Sequence, residues 1–172
     1  MLLALDINSV RCGWAFGGPD DSFPRSDCWL LPGGADLTRS CMSLYNSISE
    51  LSKLIHTTIC VIEAPLNIGD RNPRSNLVLI ALYGAANAAA GNAKARVIDA
   101  HVSTWRKTFL GMGYPPKGTA KQMALDRCKL LRWPAENHDQ AEACGIWCWG
   151  MSISYPHWAP KGTPLFAQGE AA

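Results

Sequence analysis

Hydrophobic and polar positions divide the chain into short continuous apolar runs and longer periodic ones. Leu2 to Leu5 is an apolar run too short for a helix; it ends on Asp6, and the turn residues Asn8 and Ser9 follow. That pattern predicts a buried strand. Arg11 to Phe16 reads as a second strand, close enough to the first to form a hairpin, and Gly17, Gly18 and Pro19 punctuate it. Cys28 to Leu31 predicts a third, antiparallel strand. The period then changes. Leu37, Cys41, Leu44, Ile48, Leu51 and Ile55 are spaced alternately four and three apart, one apolar helix stripe widened by Tyr45 and Leu54. Ile59 to Ile62 is a continuous, mostly β-branched run, expected to be a strand buried on both faces, and it ends on Glu63.

Further along, Asn72 and Pro73 suit a helix entry, and Leu77 to Ala90 is rich in helix formers and closed by Gly91. Its small residues, Gly84 to Ala86 and Ala88 to Ala90, would let another backbone pack close. Ala95 to Ala100 predicts a strand carrying Asp99. The basic, aromatic segment Trp105, Arg106, Lys107 follows, then a loop from Gly111 to Gly118. Thr119 to Leu131 is helical by propensity, with Met123, Leu130 and Leu131 inward and Lys121, Arg127, Lys129 and Arg132 toward solvent. Trp133 and Pro134 stop it. Asn137 offers the cap for a last helix from Asp139 to about Met151, with Ala143, Ile146, Trp147 and Met151 as its buried face. The expected fold is α/β: a mixed sheet with an antiparallel three-strand opening and then parallel strands, flanked by helices. Residues 1–152 form one domain in this reading, and 153–172 an irregular or disordered tail.

Composition narrows the class. With 48% hydrophobic and 17% charged residues, the chain can bury one substantial core, and no apolar run approaches the roughly 20 residues of a membrane span. Asp6 interrupts the first apolar run before a signal-peptide core can form, so a cytoplasmic protein is expected. The seven cysteines are scattered without a zinc-type pair of pairs and read mostly as small, reduced core residues. The net charge of +2 conceals an asymmetry: from Lys94 to Trp133, nine basic residues face two acids. Such a block, which includes Arg106, Lys107, Lys117 and Lys121, reads as a phosphate-facing surface.

Candidate chemistry lies in the acids. If the strands ending in Asp6 and Glu63 run side by side, both carboxylates emerge at one sheet edge. Asp139 and Glu142, three apart, share a face of the last helix. Taken singly, Asp139 and Glu142 also suit a helix N-terminus, and Asp6 and Glu63 suit turns. Converged, the four would repel one another, and a hard divalent cation is the usual remedy. Two such ions about 4 Å apart stabilise both ends of an in-line phosphodiester displacement. His138 is a candidate proton donor or further ligand.

Three segments resemble the RuvC-type Holliday junction resolvases of the RNase H-like nuclease superfamily: residues 3 to 14, which contain Asp6, residues 61 to 66, which contain Glu63, and residues 138 to 143, which contain Asp139 and Glu142. They come in the family's order, with the basic block between the second and third. The resemblance implies a divalent-metal-dependent endonuclease on branched DNA. It would act as a homodimer that resolves four-way junctions by paired symmetric nicks, using Mg²⁺, with Mn²⁺ able to substitute. Asp6, Glu63, Asp139 and Glu142 match the family's catalytic, metal-binding acids, and Lys107 and Lys117 fall where the family has lysines near the scissile phosphate. Three departures stand out: Ile7 and Asn8 replace the usual Pro-Gly after the first aspartate, Glu142 replaces an aspartate, and Leu66 stands where the family has an aromatic wedge. A phage or prophage origin fits such divergence. Other readings are a less selective flap, fork or RNA-DNA hybrid nuclease, a non-catalytic DNA-binding module, and, last, an ATP-binding domain of the actin and sugar-kinase type.

Overall fold

The structure is a computed structural model that describes residues 1–32, 36–65 and 73–160. Ten elements follow in order: β1 (Leu2–Ile7), β2 (Arg11–Gly17), β3 (Arg25–Leu30), α1 (Leu37–Ile55), β4 (Ile59–Glu63), α2 (Pro73–Asn92), β5 (Arg96–Ala100), α3 (Val102–Leu110), α4 (Ala120–Leu131) and α5 (His138–Ser154). The strands form one sheet in the order β3-β2-β1-β4-β5. β1, β2 and β3 pair antiparallel, while β1, β4 and β5 run parallel. This is the mixed sheet that the run lengths predict, with an antiparallel opening, parallel strands after it and helices around it.

Strand parity divides the core in two. Leu3 and Leu5 of β1 with Cys60 and Ile62 of β4 pack under α1 and α2, where Leu44, Ile48, Leu82 and Ala86 meet them. Leu2 and Ala4 with Val61 face the other way, toward Trp105 and Phe109 of α3, Ala124 and Cys128 of α4, and most of α5. Because side chains alternate along a strand, Asp6 continues the set of Leu2 and Ala4, and Glu63 that of Val61. Both carboxylates are thereby directed to the α5 side.

α5 is the central helix of that layer. Twelve of its seventeen residues are buried, among them the whole stretch from Asp139 to Cys148, so its buried surface extends well beyond the four-residue face expected. The reason is its position between the sheet and the pair α3 and α4. Its N-terminus follows the predicted cap: Asn137 Oδ1 accepts from the Gln140 amide at 3.0 Å. Trp147 stands edge-on to both Trp133 and Trp158.

Several expectations need correcting. β3 begins at Arg25, because Arg25 to Asp27 pair with β2 despite their polarity; an edge strand needs only one apolar face. The basic, aromatic segment Trp105 to Lys107 belongs to a helix, α3, that the hydrophobic pattern does not mark. In α4 the inward stripe is Ala124, Cys128 and Leu131, spaced four and three, whereas Leu130 is 51% exposed. Leu54 of α1 is likewise exposed, pointing off the stripe that Leu44 and Ile48 bury. The cysteines, by contrast, follow expectation: all seven are free. Leu66, Asn72 and the end of the chain from 161 to 172 lie outside the described residues.

Candidate active site

The site forms where β1 and β4 end. Leu5 lies opposite Ile62 in the parallel register, so the next residue of each strand, Asp6 and Glu63, emerges at the same edge. α5 reaches this edge because of a glycine. Gly13 is the antiparallel partner of Asp6, and a Cβ on it would lie 2.2 Å from the backbone oxygen of Asp139. Without a side chain there, the first turn of α5 rests directly on β2, with Asp139 and Glu142 facing the strand ends. Asp6, Glu63 and Glu142 line one cavity of about 270 Å³ together with Arg106 and Lys121. Asp139 sits beside it, close enough to act on the charge of Asp6.

Three of the four acids are held by donors. The Trp105 indole donates to Glu63 Oε2 at 2.8 Å. Arg106 Nη2 meets Glu142 Oε1 at 2.9 Å, and Lys121 Nζ meets Glu142 Oε2 at 3.3 Å. Asp139 accepts from Asn8 Nδ2 at 3.3 Å and faces Arg11 at 3.7 Å and Lys121 at 3.8 Å. Asn8, one of the two residues that depart from the resolvase pattern, also closes the β1-β2 hairpin: its Oδ1 accepts from the amides of Val10 and Arg11. One side chain therefore shapes the turn and orients an acid.

The electrostatics follow from burial. Desolvation, with repulsion from Glu63 and Glu142, pushes the Asp6 carboxyl well above its ordinary range. Burial and Glu142 likewise raise Glu63 to about 7, against the opposing indole hydrogen bond. For Lys121 burial works against the charged form, but Glu142 and Asp6 outweigh it and raise its pKa. A carboxyl with a raised folded-state pKa stabilises the fold below its unfolded value, and that contribution is lost as pH rises through the folded value. The metal-free protein is therefore expected to lose stability as pH rises between about 4.5 and 7, the window set by Glu63. Thermal unfolding in EDTA at a series of pH values checks this. Glu63→Gln should flatten the profile, and a profile rising toward pH 8 would contradict the electrostatic account.

The donor set suits a hard divalent cation, since it consists of carboxylate oxygens gathered in and beside a shared cavity. Among the described residues, however, no group of three or more His, Cys, Asp or Glu is already arranged to hold an ion. Arg106 and Lys121 each occupy one oxygen of Glu142, and Trp105 occupies one of Glu63.

The remaining predicted residues lie elsewhere. His138 is exposed, and its Nε2 lies 3.4 Å from Gln122 Oε1. Lys107 and Lys117 are exposed and do not line the acid cavity. Arg106 and Lys121, expected only as part of a phosphate-facing surface, turn inward to the acids. Trp105, Asn8 and Arg11 were not anticipated as partners. The adjacency of Trp105 and Arg106 was the available signal, because consecutive residues on one turn reached two different acids.

The sheet order, the parallel register that joins Asp6 to Glu63, and the crossing of α5 over the strand ends define a protein of the RNase H-like fold class. No family model matches the chain, and no curated protein matches it in sequence. Solved structures do match. Thermus thermophilus RuvC superposes with a TM-score of 0.63 at 13% identity, over 89% of this chain and 95% of that one. T. thermophilus RuvC in complex with a Holliday junction substrate gives 0.66 at 16%, over 94% and 96%. The fowlpox virus resolvase in complex with its substrate Holliday junction DNA gives 0.50 at 9%, over 88% and 98%. At these identities the common property is the fold, and it is the fold that the sequence resemblance implied. Among the described residues, no helix is long and apolar enough to cross a membrane.

Proposed function

We propose that the chain is a divalent-metal-dependent endonuclease acting on branched DNA, with four-way junctions as its substrate. The observation that carries this reading is the convergence of Asp6, Glu63 and Glu142 on one basic-rimmed cavity, with Asp139 alongside, in a fold shared with two junction resolvases. Asp6, Glu63, Asp139 and Glu142 would hold Mg²⁺ or Mn²⁺, which when bound supplies Lewis-acid activation of the phosphodiester and of the attacking water. Arg106 and Lys121, freed from Glu142, are placed to receive phosphate oxygens; the guanidinium offers a bidentate fork and the ammonium a point charge. Exposed Lys107 and Lys117 extend the cationic surface away from the cavity. Incubation of the protein with a synthetic four-way junction and Mg²⁺ or Mn²⁺ tests the proposal. Paired nicks near the branch support it, and intact DNA at saturating binding overturns it. That second outcome is the signature of a non-catalytic DNA-binding module, a reading favoured by the ion pairs that already engage Glu142.

Paired nicks call for two sites, and a homodimer supplies them. α2 is the element suited to it. It carries no charged residue after Arg74; Leu77 and Ile80 are 60% and 51% exposed, and Gly84 and Gly91 meet no atom within 4 Å where a Cβ would sit. An exposed apolar face with glycines unused by the fold suits close packing against the same helix of a second copy. Gly84→Arg is expected to convert the dimer to a monomer while keeping α2 folded, since arginine has the higher helix propensity. Sedimentation equilibrium reads the result. A variant that stays dimeric would assign the interface elsewhere.

A further inference from the structure

Beside the acid cavity lies a second one, of about 500 Å³, bounded by Val102, Ser103, Arg106, Gly113, Tyr114 and Pro115. The two share Val102 and Arg106, so they are neighbouring compartments with Arg106 in common. Tyr114 is 88% exposed. It buries almost nothing in the fold, yet the loop that carries it is closely held. Gly111 ends α3 in the left-handed region at φ +80°. The backbone of Gly113 presses on α3 so closely that a Cβ there would lie 2.7 Å from the Ser103 carbonyl oxygen, and Pro115 restricts the chain just beyond. The result is an aromatic ring presented to solvent from a fixed support, at the mouth of a cavity large enough for a small organic ligand.

The surroundings identify the ligand. Arg106, which also meets Glu142, forms one wall, and Lys107 and Lys117 are exposed on the same α3-to-loop stretch, so the surroundings favour a partner that carries an anion. A nucleotide satisfies both features: its base offers a π-face to the tyrosine and its phosphate an anion to the guanidinium. In continuous duplex the bases are already stacked on each other, so a free π-face requires an interruption such as a branch point. We propose that Tyr114 and this cavity form a stacking subsite for an unpaired or unstacked base next to the phosphate presented to Asp6, Glu63 and Glu142. The proposal rests on the branched-DNA reading above and specifies how the branch itself is recognised.

The test compares wild type, Tyr114→Ala and Tyr114→Phe in EDTA, where the DNA stays intact. Each binds a four-way junction carrying 2-aminopurine at its branch nucleotides and, separately, a linear duplex. Tyr114→Ala should weaken junction binding by about 5- to 150-fold, the range of one aromatic-base stack, leave duplex binding unchanged and lose the quenching of 2-aminopurine. Tyr114→Phe should match wild type, because stacking needs the ring and not the hydroxyl. The subsite is overturned if Tyr114→Ala retains wild-type affinity and quenching, if it weakens duplex equally, or if Tyr114→Phe is as impaired as the alanine variant. A wild-type protein that binds junction no better than duplex overturns the branched-DNA reading, and the subsite with it.

Discussion

Asp6→Asn is expected to lower metal-dependent junction cleavage by at least about 10²-fold while leaving junction binding in EDTA intact or tighter, and Glu63→Gln to do the same. The magnitude follows from the scale of losing one preorganised electrostatic group at a reacting centre. The direction of the binding change follows from charge. Asp6 is buried among Glu63, Glu142 and Asp139, so replacing it with an amide removes repulsion within the protein and toward DNA phosphates. The same substitution should raise the thermal stability of the metal-free protein at high pH, because it removes the buried charge that Glu63 and Glu142 oppose. Gel assays of cleavage and binding, with thermal unfolding beside them, separate these effects. Cleavage by Asp6→Asn at wild-type rates would remove the carboxylate cluster from the chemistry.

Gly13→Ala carries the second large effect, through geometry instead of charge. The new methyl would fall 2.2 Å from the Asp139 oxygen and 2.6 Å from its carbonyl carbon, both backbone atoms that no rotamer change can clear. Overpacking of this kind costs about 1–3 kcal/mol and sometimes more, which for a chain of this size is a drop of roughly 2–12 °C in Tm. The first turn of α5 must then lift from β2 and carry Asp139 and Glu142 away from Asp6. A displacement near 1 Å costs catalysis on the order of 10²-fold. Gly91→Ala is the control: a Cβ there meets nothing, and alanine should stabilise α2 by about 0.5–1 kcal/mol. Equal Tm values for the two variants would contradict the close approach of α5 to the sheet.

The parts legible in the sequence were those governed by local periodicity. The alternating four-three spacing from Leu37 to Ile55 marked α1 at both ends, and the short apolar runs marked β1 and β4 together with the acids that terminate them. Parity alone was enough to direct Asp6 and Glu63 to one face once the strands were taken as parallel neighbours. α3 escaped because it is nine residues long, with only Trp105 and Phe109 buried, too few apolar positions for a stripe to stand out. The inward turn of Arg106 and Lys121 was not legible either. Their partner Glu142 is 36 and 21 positions away, and no period connects them. The burial stripe of α4 was legible only at Leu131 for a related reason: Ala124 and Cys128 are small, and the larger Leu130 drew the expectation although its position on the helix faces solvent.

The hairpin turn at Asn8 has a consequence for how this chain can change. Asn-Gly would make a tighter two-residue connection for a bare hairpin, and a drift toward that sequence would be unopposed if the turn served only to reverse the chain. Here the asparagine that accepts from Val10 and Arg11 also donates to Asp139, so loop length, strand register and acid orientation are inherited as one unit. An insertion or deletion between Ile7 and Arg11 would be read out at the far end of the chain, in the alignment of α5. Tolerance to length variation, usual in surface turns, is correspondingly absent from this one.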